Sequence, residues 1–181
     1  MANASALELA LIGLLKQKPQ SGYDLRKQFT ATPMRHFSDS PGSIYPALRR
    51  LQARGWIVVS ADEQGRKRQV YRVSAAGHKA FGAWLKQPPT REEIIWRLGE
   101  VMLRFAFQDG NVPRPTTSRF LAAFEQELAA YVRELREYAK RSGLADQAST
   151  GALAFASGIE GYEAQLVWVK RARTKFREKR S

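Results

Sequence analysis

The sequence predicts a mainly α-helical protein of two modules, with a single β-hairpin in the first module. Apolar residues recur at helical spacing through most of the chain, whereas the stretch 56–73 is rich in β-forming side chains. Two consecutive prolines, Pro88 and Pro89, mark a boundary between the modules. We expect the first module at residues 1–87 and the second at residues 91–181.

The first module is expected to begin with two short helices. Apolar residues between Leu7 and Leu15 form one helical stripe, and Pro19 follows the point where that helix ends. Ser21 stands at the N-cap position of a second helix, which extends to Phe29 and beyond.

A third helix ends at Gly55, a residue type that is common directly after a helix. Its start has two alternatives, Ser40 or Ser43. We favour Ser43, after a short turn, because this start puts Pro46 at the third helical position, where the missing N–H breaks no hydrogen bond.

A β-hairpin and a fourth helix complete the first module. Residues 56–60 and 66–73 are rich in β-branched and aromatic side chains, and residues 62–65 supply the turn between them. Ser74 then caps a helix that carries Phe81, Trp84 and Leu85. Three helices, a hairpin and a returning helix make a winged helix-turn-helix.

The second module is predicted to be helical throughout. Thr90 and Glu93 have the spacing of a capping box, and an apolar stripe follows them to Phe105. Beyond Pro115 apolar side chains recur at alternating spacings of three and four, the pattern of a heptad seam. A further heptad helix after Gly143 indicates an antiparallel pair. The seam residues are Leu121, Phe124, Leu128, Tyr131, Leu135 and Tyr138.

This seam has two alternatives. It can form the core of a bundle within one chain, or it can meet a second copy of the chain in a dimer. We favour dimerisation, because a helix-turn-helix protein that binds duplex DNA places two recognition helices by pairing. Gly151, Gly158 and Gly161 would also permit close approach of helices.

The basic charge lies unevenly along the 181 residues. The chain has 30 Lys and Arg against 17 Asp and Glu, a formal net charge of +13. Residues 1–90 carry 14 basic and 5 acidic side chains, residues 91–169 carry 9 and 11, and residues 170–181 carry 7 and 1. The asymmetry favours two modules with different tasks and predicts a polyanionic partner. We interpret the basic tail 170–181 as a frayed, solvated helix end; the alternative is that it holds DNA phosphates.

The third helix carries the residues that predict DNA binding. On a helical wheel Ile44, Leu48 and Leu51 face the core, and the opposite face combines small residues with two arginines. Small residues let a helix approach a duplex closely, and arginine pairs with guanine or with phosphate. The expected contacts are Ser43, Tyr45, Pro46, Arg49 and Arg50 on this helix and Ser21 and Tyr23 at the start of the second.

The hairpin tip adds three consecutive basic residues, Arg66, Lys67 and Arg68. Such a wing can follow a DNA backbone or enter a minor groove, although charge at a hairpin also protects a strand edge from pairing. The alternative function is a winged-helix module that binds RNA or a protein. A protein-binding module needs no basic face, and RNA usually calls for exposed aromatic side chains, for which Tyr45 is a candidate.

Composition excludes several other classes of function. The chain has no cysteine and only two histidines, so we expect no disulfide, no thiol chemistry and no histidine-rich metal centre. No catalytic triad and no glycine-rich phosphate loop is visible, and we expect neither an enzyme nor a cofactor. The apolar runs are too short to span a membrane and the N-terminus does not read as a signal peptide, which predicts a cytoplasmic protein.

Four stretches of the first module, within residues 6–86, resemble the PadR-like (phenolic acid decarboxylase repressor) regulators. They are residues 10–15, 21–25, 40–51 and 68–77. The resemblance implies a bacterial transcription factor, usually a repressor, that binds a palindromic operator as a homodimer. It also implies that small effectors bind at or near the dimer interface, and that DNA is contacted by matching residues on the second helix, the third helix and the wing. These residues are Ser21, Tyr23, Ser43, Tyr45, Pro46, Arg49, Arg66, Lys67 and Arg68.

Trp96 is the candidate contact for an effector. A tryptophan on the outer side of an otherwise apolar helix can stack on a flat ligand, although such a side chain more often packs in a core or an interface. Trp96 is thus a candidate contact for a small aromatic effector that releases the DNA, and packing is the alternative.

Overall fold

Over the residues that the structure describes, 4–32, 41–61 and 69–178, a computed structural model of the protein contains eight α-helices and one three-stranded antiparallel sheet. The prediction of a mainly α-helical protein with a small β element is confirmed. The chain divides into two compact units, Met1–Leu85 and Lys86–Ser181.

The first unit is a winged helix-turn-helix, and its first two helices begin at side-chain caps. Ser5 and Glu8 form a reciprocal capping box at the start of the first helix, and Ser21 caps the second. The elements in chain order are α1 (Ala6–Gln17), β1 (Gln20–Ser21), α2 (Gly22–Ala31), α3 (Ile44–Ala53), β2 (Ile57–Ala61), β3 (Gln69–Val73) and α4 (Ala75–Leu85).

The core of the first unit forms where α1 meets α3, β3 and α4 and where α2 meets α3. Leu11, Leu25, Leu51 and Phe81 have no measurable exposure, and Leu48 has 1 %. Each buried side chain of this size stabilises the fold by about 1.5–3 kcal/mol. The helical spacing that predicted these inward faces is therefore confirmed by their burial.

The sheet has one strand more than the predicted hairpin. β1 pairs with β3, with Gln20 opposite Tyr71, and β3 pairs with β2, with Val73 opposite Ile57. A strand of two residues is too short to show a period of two, so periodicity could not predict it.

Between residues 86 and 178 the second unit contains four α-helices. The sequence predicted one continuous helix for the first apolar stripe, but the structure has two. That stripe is broken at Arg97, whose φ of −138° and ψ of 36° are not helical. Buried Arg104 bonds to Glu93 across the break and donates to the carbonyl oxygen of Gln87 at 3.2 Å. The helices are α5 (Arg91–Trp96), α6 (Leu98–Ala106), α7 (Arg114–Arg141) and α8 (Thr150–Glu178).

Helices α7 and α8 form the predicted antiparallel pair. Tyr131 packs edge-on against Tyr162 with ring centroids 5.1 Å apart, and further along α7 Tyr138 meets Phe155, which lies earlier on α8. The expectation of a frayed basic tail is corrected up to Glu178, because α8 continues to that residue and Arg173 bonds to Glu125 of α7.

Candidate nucleic-acid interface

Helix α3 has the two faces that the helical wheel predicts. Ile44, Leu48 and Leu51 are 1 % exposed or less, and they anchor the helix in the core. Arg49 is exposed, and Tyr45 is 40 % exposed. The inner face therefore holds the helix in place while the outer face presents a guanidinium and a phenol to solvent.

The favoured start of α3 is confirmed. Residues Pro41–Ser43 form a single 3₁₀ turn, and the α-helix begins at Ile44, so Pro46 is its third residue. At this position proline breaks no helical hydrogen bond and exposes part of its ring next to Arg49. Ser43 precedes the helix without a side-chain capping bond.

The start of α2 depends on Ser21. Its hydroxyl accepts a hydrogen bond from the N–H of Asp24 at 3.2 Å and donates to the Asp24 carboxylate at 2.6 Å. Ser21 is only 7 % exposed, so its side chain is committed to the helix cap. Tyr23, which is 56 % exposed, is the predicted contact of this helix start that reaches solvent.

Gly22 brings the starts of α2 and α3 together. A Cβ atom added to Gly22 would lie 2.7 Å from Cε1 of Tyr45, closer than any normal contact. The Tyr45 ring therefore packs directly on the backbone of α2. This contact holds Tyr45 of α3 against the first turn of α2, where Tyr23 is exposed and Ser21 is buried in the cap.

Arg50 is paired with a carboxylate of α1. Its Nε–H donates to Oε1 of Glu8 at 2.7 Å, and Arg54 donates to Oε2 of the same carboxylate at 3.0 Å. Arg50 keeps half of its side chain exposed. Arg50 therefore ties α3 to α1, and its contact with DNA stays a prediction, as does that of the exposed Arg49.

Glu8 is the functional residue that sequence reasoning missed. It is 1 % exposed, and it accepts bonds from Arg50, from Arg54 and from the N–H of Ser5. Burial raises the pKa of the carboxyl, but the Ser5 N–H and the two guanidiniums outweigh burial and hold the pKa below its usual value. The capping-box spacing of Ser5 and Glu8 was the available signal.

The predicted wing residues Arg66, Lys67 and Arg68 lie outside the described residues. The described part of the hairpin adds one basic side chain that sequence reasoning did not name. Arg72 is exposed on β3, opposite Val58 of β2, which is 49 % exposed.

In the second unit, Trp96 is 79 % exposed at the end of α5. Its ring is therefore open to solvent rather than packed in the core of its own chain. Trp168, by contrast, packs between Phe105 and Phe124 inside this unit, with ring centroids 5.9 and 6.3 Å away.

The predicted dimer seam on α7 packs within its own chain. Leu121, Phe124 and Leu128 are 1 % exposed or less in the core that α7 and α8 share. Tyr131 and Tyr138 meet rings of α8, and Leu135 is half-buried. The structure thus corresponds to the intramolecular alternative for this seam.

Within residues 4–32, 41–61 and 69–178 no group of three or more histidine or carboxylate side chains is arranged to hold a metal ion. None of the helices in this part of the chain has the length and apolar character needed to cross a membrane.

Comparison with known proteins links the first unit to one family. Residues 11–83 match the model of the transcriptional regulator PadR-like family. The negative transcriptional regulator PadR of Bacillus subtilis (strain 168) is 31 % identical over 91 residues, which cover 49 % of this chain and 50 % of that protein. The transcriptional regulator YqjI of Escherichia coli (strain K12) is 28 % identical over 89 residues, which cover 49 % of this chain and 40 % of that protein.

The chain thus spans about half the length, or less, of the curated relatives it matches. Among solved structures, Bacillus subtilis PadR in complex with operator DNA aligns with a TM-score of 0.45 at 21 % identity, over 97 % of this chain and 99 % of that one. The matched family is one of transcriptional regulators and not of enzymes. Residues 11–83 of this chain are thus similar to the PadR-like family of transcriptional regulators.

Proposed function

We propose that this chain is a transcriptional regulator that binds operator DNA in the bacterial cytoplasm. The observation that carries the proposal is the outer face of α3. Arg49 and Tyr45 are exposed there beside Tyr23, while buried leucines and the Glu8 bonds hold the helix rigid. A rigid helix with an outward arginine can enter a major groove and place the guanidinium against a guanine or a phosphate.

The charge distribution supports a nucleic acid as the partner. Residues 1–90 carry 14 basic and 5 acidic side chains, and the whole chain has a net charge of +13. Contacts with phosphates release counterions, so affinity should fall as salt rises. The described part of the α3 face is basic through Arg49, and the sequence adds Arg66, Lys67 and Arg68 on the predicted wing.

We propose that the regulator acts as a homodimer through an outer face of α8. Leu153 and Val167 are 59 % and 47 % exposed on this face. At roughly 100° per residue Leu153 and Val167 lie about 40° apart around α8, and Gly161 lies about 80° from Leu153, at the edge of this face. A Cβ atom added at Gly161 would meet nothing within 4 Å of its own chain, so another helix can approach closely there. Two-fold pairing would set two recognition helices roughly 34–36 Å apart on a palindromic operator.

Repression and release by an effector complete the proposal. The Bacillus subtilis relative is named a negative transcriptional regulator, which supports a repressor role for this chain. The exposed ring of Trp96 offers a stacking surface for a small aromatic effector.

Fluorescence anisotropy tests DNA binding directly. A labelled 30-base-pair duplex, selected from a random library with this protein, would be titrated at two salt concentrations and competed with single-stranded RNA of the same length. We expect tight binding to the duplex, a steep loss of affinity with salt and weak competition by RNA. Salt-independent binding, or RNA that competes as well as DNA does, would refute operator binding.

A substitution on α8 tests the homodimer separately. Gly161→Leu adds a bulky side chain to the proposed interface but has open space within its own chain. We expect a lower molar mass by light scattering and unchanged helical circular dichroism. A dimer that survives this change at the same concentration would place the interface elsewhere.

A further inference from the structure

A cavity of about 550 Å³ opens in the second unit, where the first turns of α7 meet the last turns of α8. We call it the α7–α8 cavity. One side is basic and the other side is apolar. The basic side contains Arg114, Arg173 and Arg177, and the apolar side contains Pro115, Leu121 and Phe176.

Among the described residues, only one of the three guanidiniums is paired with a carboxylate. Arg173 is paired with Glu125 of α7. Within residues 4–32, 41–61 and 69–178, no carboxylate lies within ion-pair distance of Arg114 or Arg177. The cavity wall therefore carries positive charge that an anion would neutralise.

Arg114 is held in place before any ligand arrives. Its Nη2 donates to the carbonyl oxygen of Phe176 at 2.6 Å, and its guanidinium carbon lies 4.2 Å from the centroid of the Phe176 ring. A guanidinium has five N–H donors, and this bond uses one of them. A preordered arginine loses less side-chain entropy when it binds a carboxylate or a phosphate.

The apolar side of the cavity is made by side chains that belong to the core. Leu121 is 1 % exposed, and Phe176 is half-buried. Concave sites with apolar walls and a few charged groups are typical of small-molecule binding. A DNA backbone would need the exposed cations but would leave this apolar wall unused.

We propose that the α7–α8 cavity binds a small organic anion. Arg114 and Arg177 bind its carboxylate or phosphate group, and Pro115, Leu121 and Phe176 enclose its apolar body. Trp96 is not part of the cavity wall. Binding of the anion can be measured without DNA, so the proposal can be tested independently of DNA binding.

Isothermal titration calorimetry of the full chain with four probes tests the site. Benzoate and phenyl phosphate each have an anionic head and an apolar body, benzamide lacks the charge, and inorganic phosphate lacks the body. We expect saturable binding of benzoate or phenyl phosphate, with a dissociation constant of about 1 mM or tighter. The tighter binder of the two identifies the preferred head group. We expect the affinity of benzamide and of inorganic phosphate to be lower by about tenfold or more.

Matched arginine variants locate the binding. Arg114→Gln combined with Arg177→Gln should weaken the better probe about tenfold or more, because both charge-assisted hydrogen bonds are lost. Arg119→Gln is the control, since Arg119 is exposed on α7 and is not part of the cavity wall. Phe176→Ala should weaken the aromatic probe more than inorganic phosphate, because it removes part of the apolar wall and keeps the carbonyl oxygen that accepts from Arg114. Circular dichroism would establish that each variant is folded.

Three results would overturn the proposal. One is the absence of saturable binding by both aromatic anions at about 10 mM. Another is an equal loss of affinity in Arg119→Gln and in the double variant. The third is a double variant that binds the aromatic probes normally but loses affinity for duplex DNA, which would make these arginines contacts for DNA phosphates.

Discussion

The Nε–H of Arg50 donates to Oε1 of Glu8 across 2.7 Å, although 42 residues separate the two side chains. Arg54 donates to the other oxygen of the same carboxylate at 3.0 Å. The bonds tie α3 to the first turn of α1, where Glu8 also completes the capping box with Ser5. One buried carboxylate therefore sets the position of the helix that presents Arg49.

Replacing this carboxylate should destabilise the first unit. Glu8→Gln leaves Arg50 and Arg54 without an anion, and we expect a loss of about 2 kcal/mol in the free energy of unfolding. Urea unfolding followed by circular dichroism measures the change. Glu92→Gln is the control, because Glu92 meets Arg97 at 3.5 Å on the exposed surface and should change stability little. Equal stability of Glu8→Gln and the native chain would contradict the role of Glu8.

Acid should weaken the same contact. Because the pKa of Glu8 is lower in the folded protein than its usual value near 4.5, its contribution is complete above that pH and is lost as the pH falls through the folded pKa. We expect the free energy of unfolding to fall as the pH drops below about 4.5 and to fall less in Glu8→Gln. Parallel pH profiles of the two proteins would show that other groups dominate.

Substitutions at two neighbouring arginines should affect different properties, DNA affinity in one case and stability in the other. Arg49→Gln removes an exposed guanidinium, and we expect about a tenfold or greater loss of duplex affinity at unchanged stability. Arg50→Gln breaks the bond to Glu8 and should lower the melting temperature. Anisotropy and thermal unfolding of both variants test the contrast. If Arg49→Gln unfolds the protein, the outward assignment of Arg49 is wrong.

Gly22→Ala should disturb the candidate interface through Tyr45. The added methyl group would lie 2.7 Å from the Tyr45 ring, so the ring must move from the start of α2. We expect weaker duplex binding, with at most a moderate loss of stability because Tyr45 is 40 % exposed and can shift toward solvent. Tyr45→Ala combined with Gly22→Ala is the control. If Gly22→Ala weakens binding as strongly in that background, the effect does not act through Tyr45.

Two glycines of α4 should respond in opposite directions to alanine. A Cβ atom at Gly77 would lie 2.1 Å from the backbone oxygen of Trp56, which cannot move without distorting the turn before β2. We expect Gly77→Ala to cost about 1–3 kcal/mol or more. Gly82 has open space around its added Cβ atom, so Gly82→Ala should stabilise the helix by about 1 kcal/mol. Chemical denaturation measures both. A neutral Gly77→Ala would contradict the close packing of α4.

Helical spacing predicted the inward faces of α1, α2, α3 and α4, because burial of Leu11, Leu25, Leu48 and Phe81 follows directly from where the apolar residues stand. The caps at Ser21 and Thr90 followed from local chemistry in the same way. The break at Arg97 did not, since an apolar stripe continues across it and the pattern carries no sign of the interruption.

Contacts between residues far apart in the sequence decide which arginine of α3 is paired with a carboxylate. Arg49 and Arg50 are adjacent and chemically identical, and a helical wheel puts both on the outer face. Only the folded chain brings Glu8 of α1 within reach of one of them. The heptad seam of α7 was ambiguous for the same reason, because a partner helix from the same chain and one from a second copy require the same spacing.

The sequence by itself determined the order of helices, the turn chemistry, the basic first module and the two-part organisation, because these depend on neighbours a few residues apart. Only the tertiary structure decided which arginine of α3 is paired, what covers the seam of α7 and where a basic cavity forms between α7 and α8. Those features arise from side chains tens of residues apart, whose meeting depends on packing rather than on local pattern.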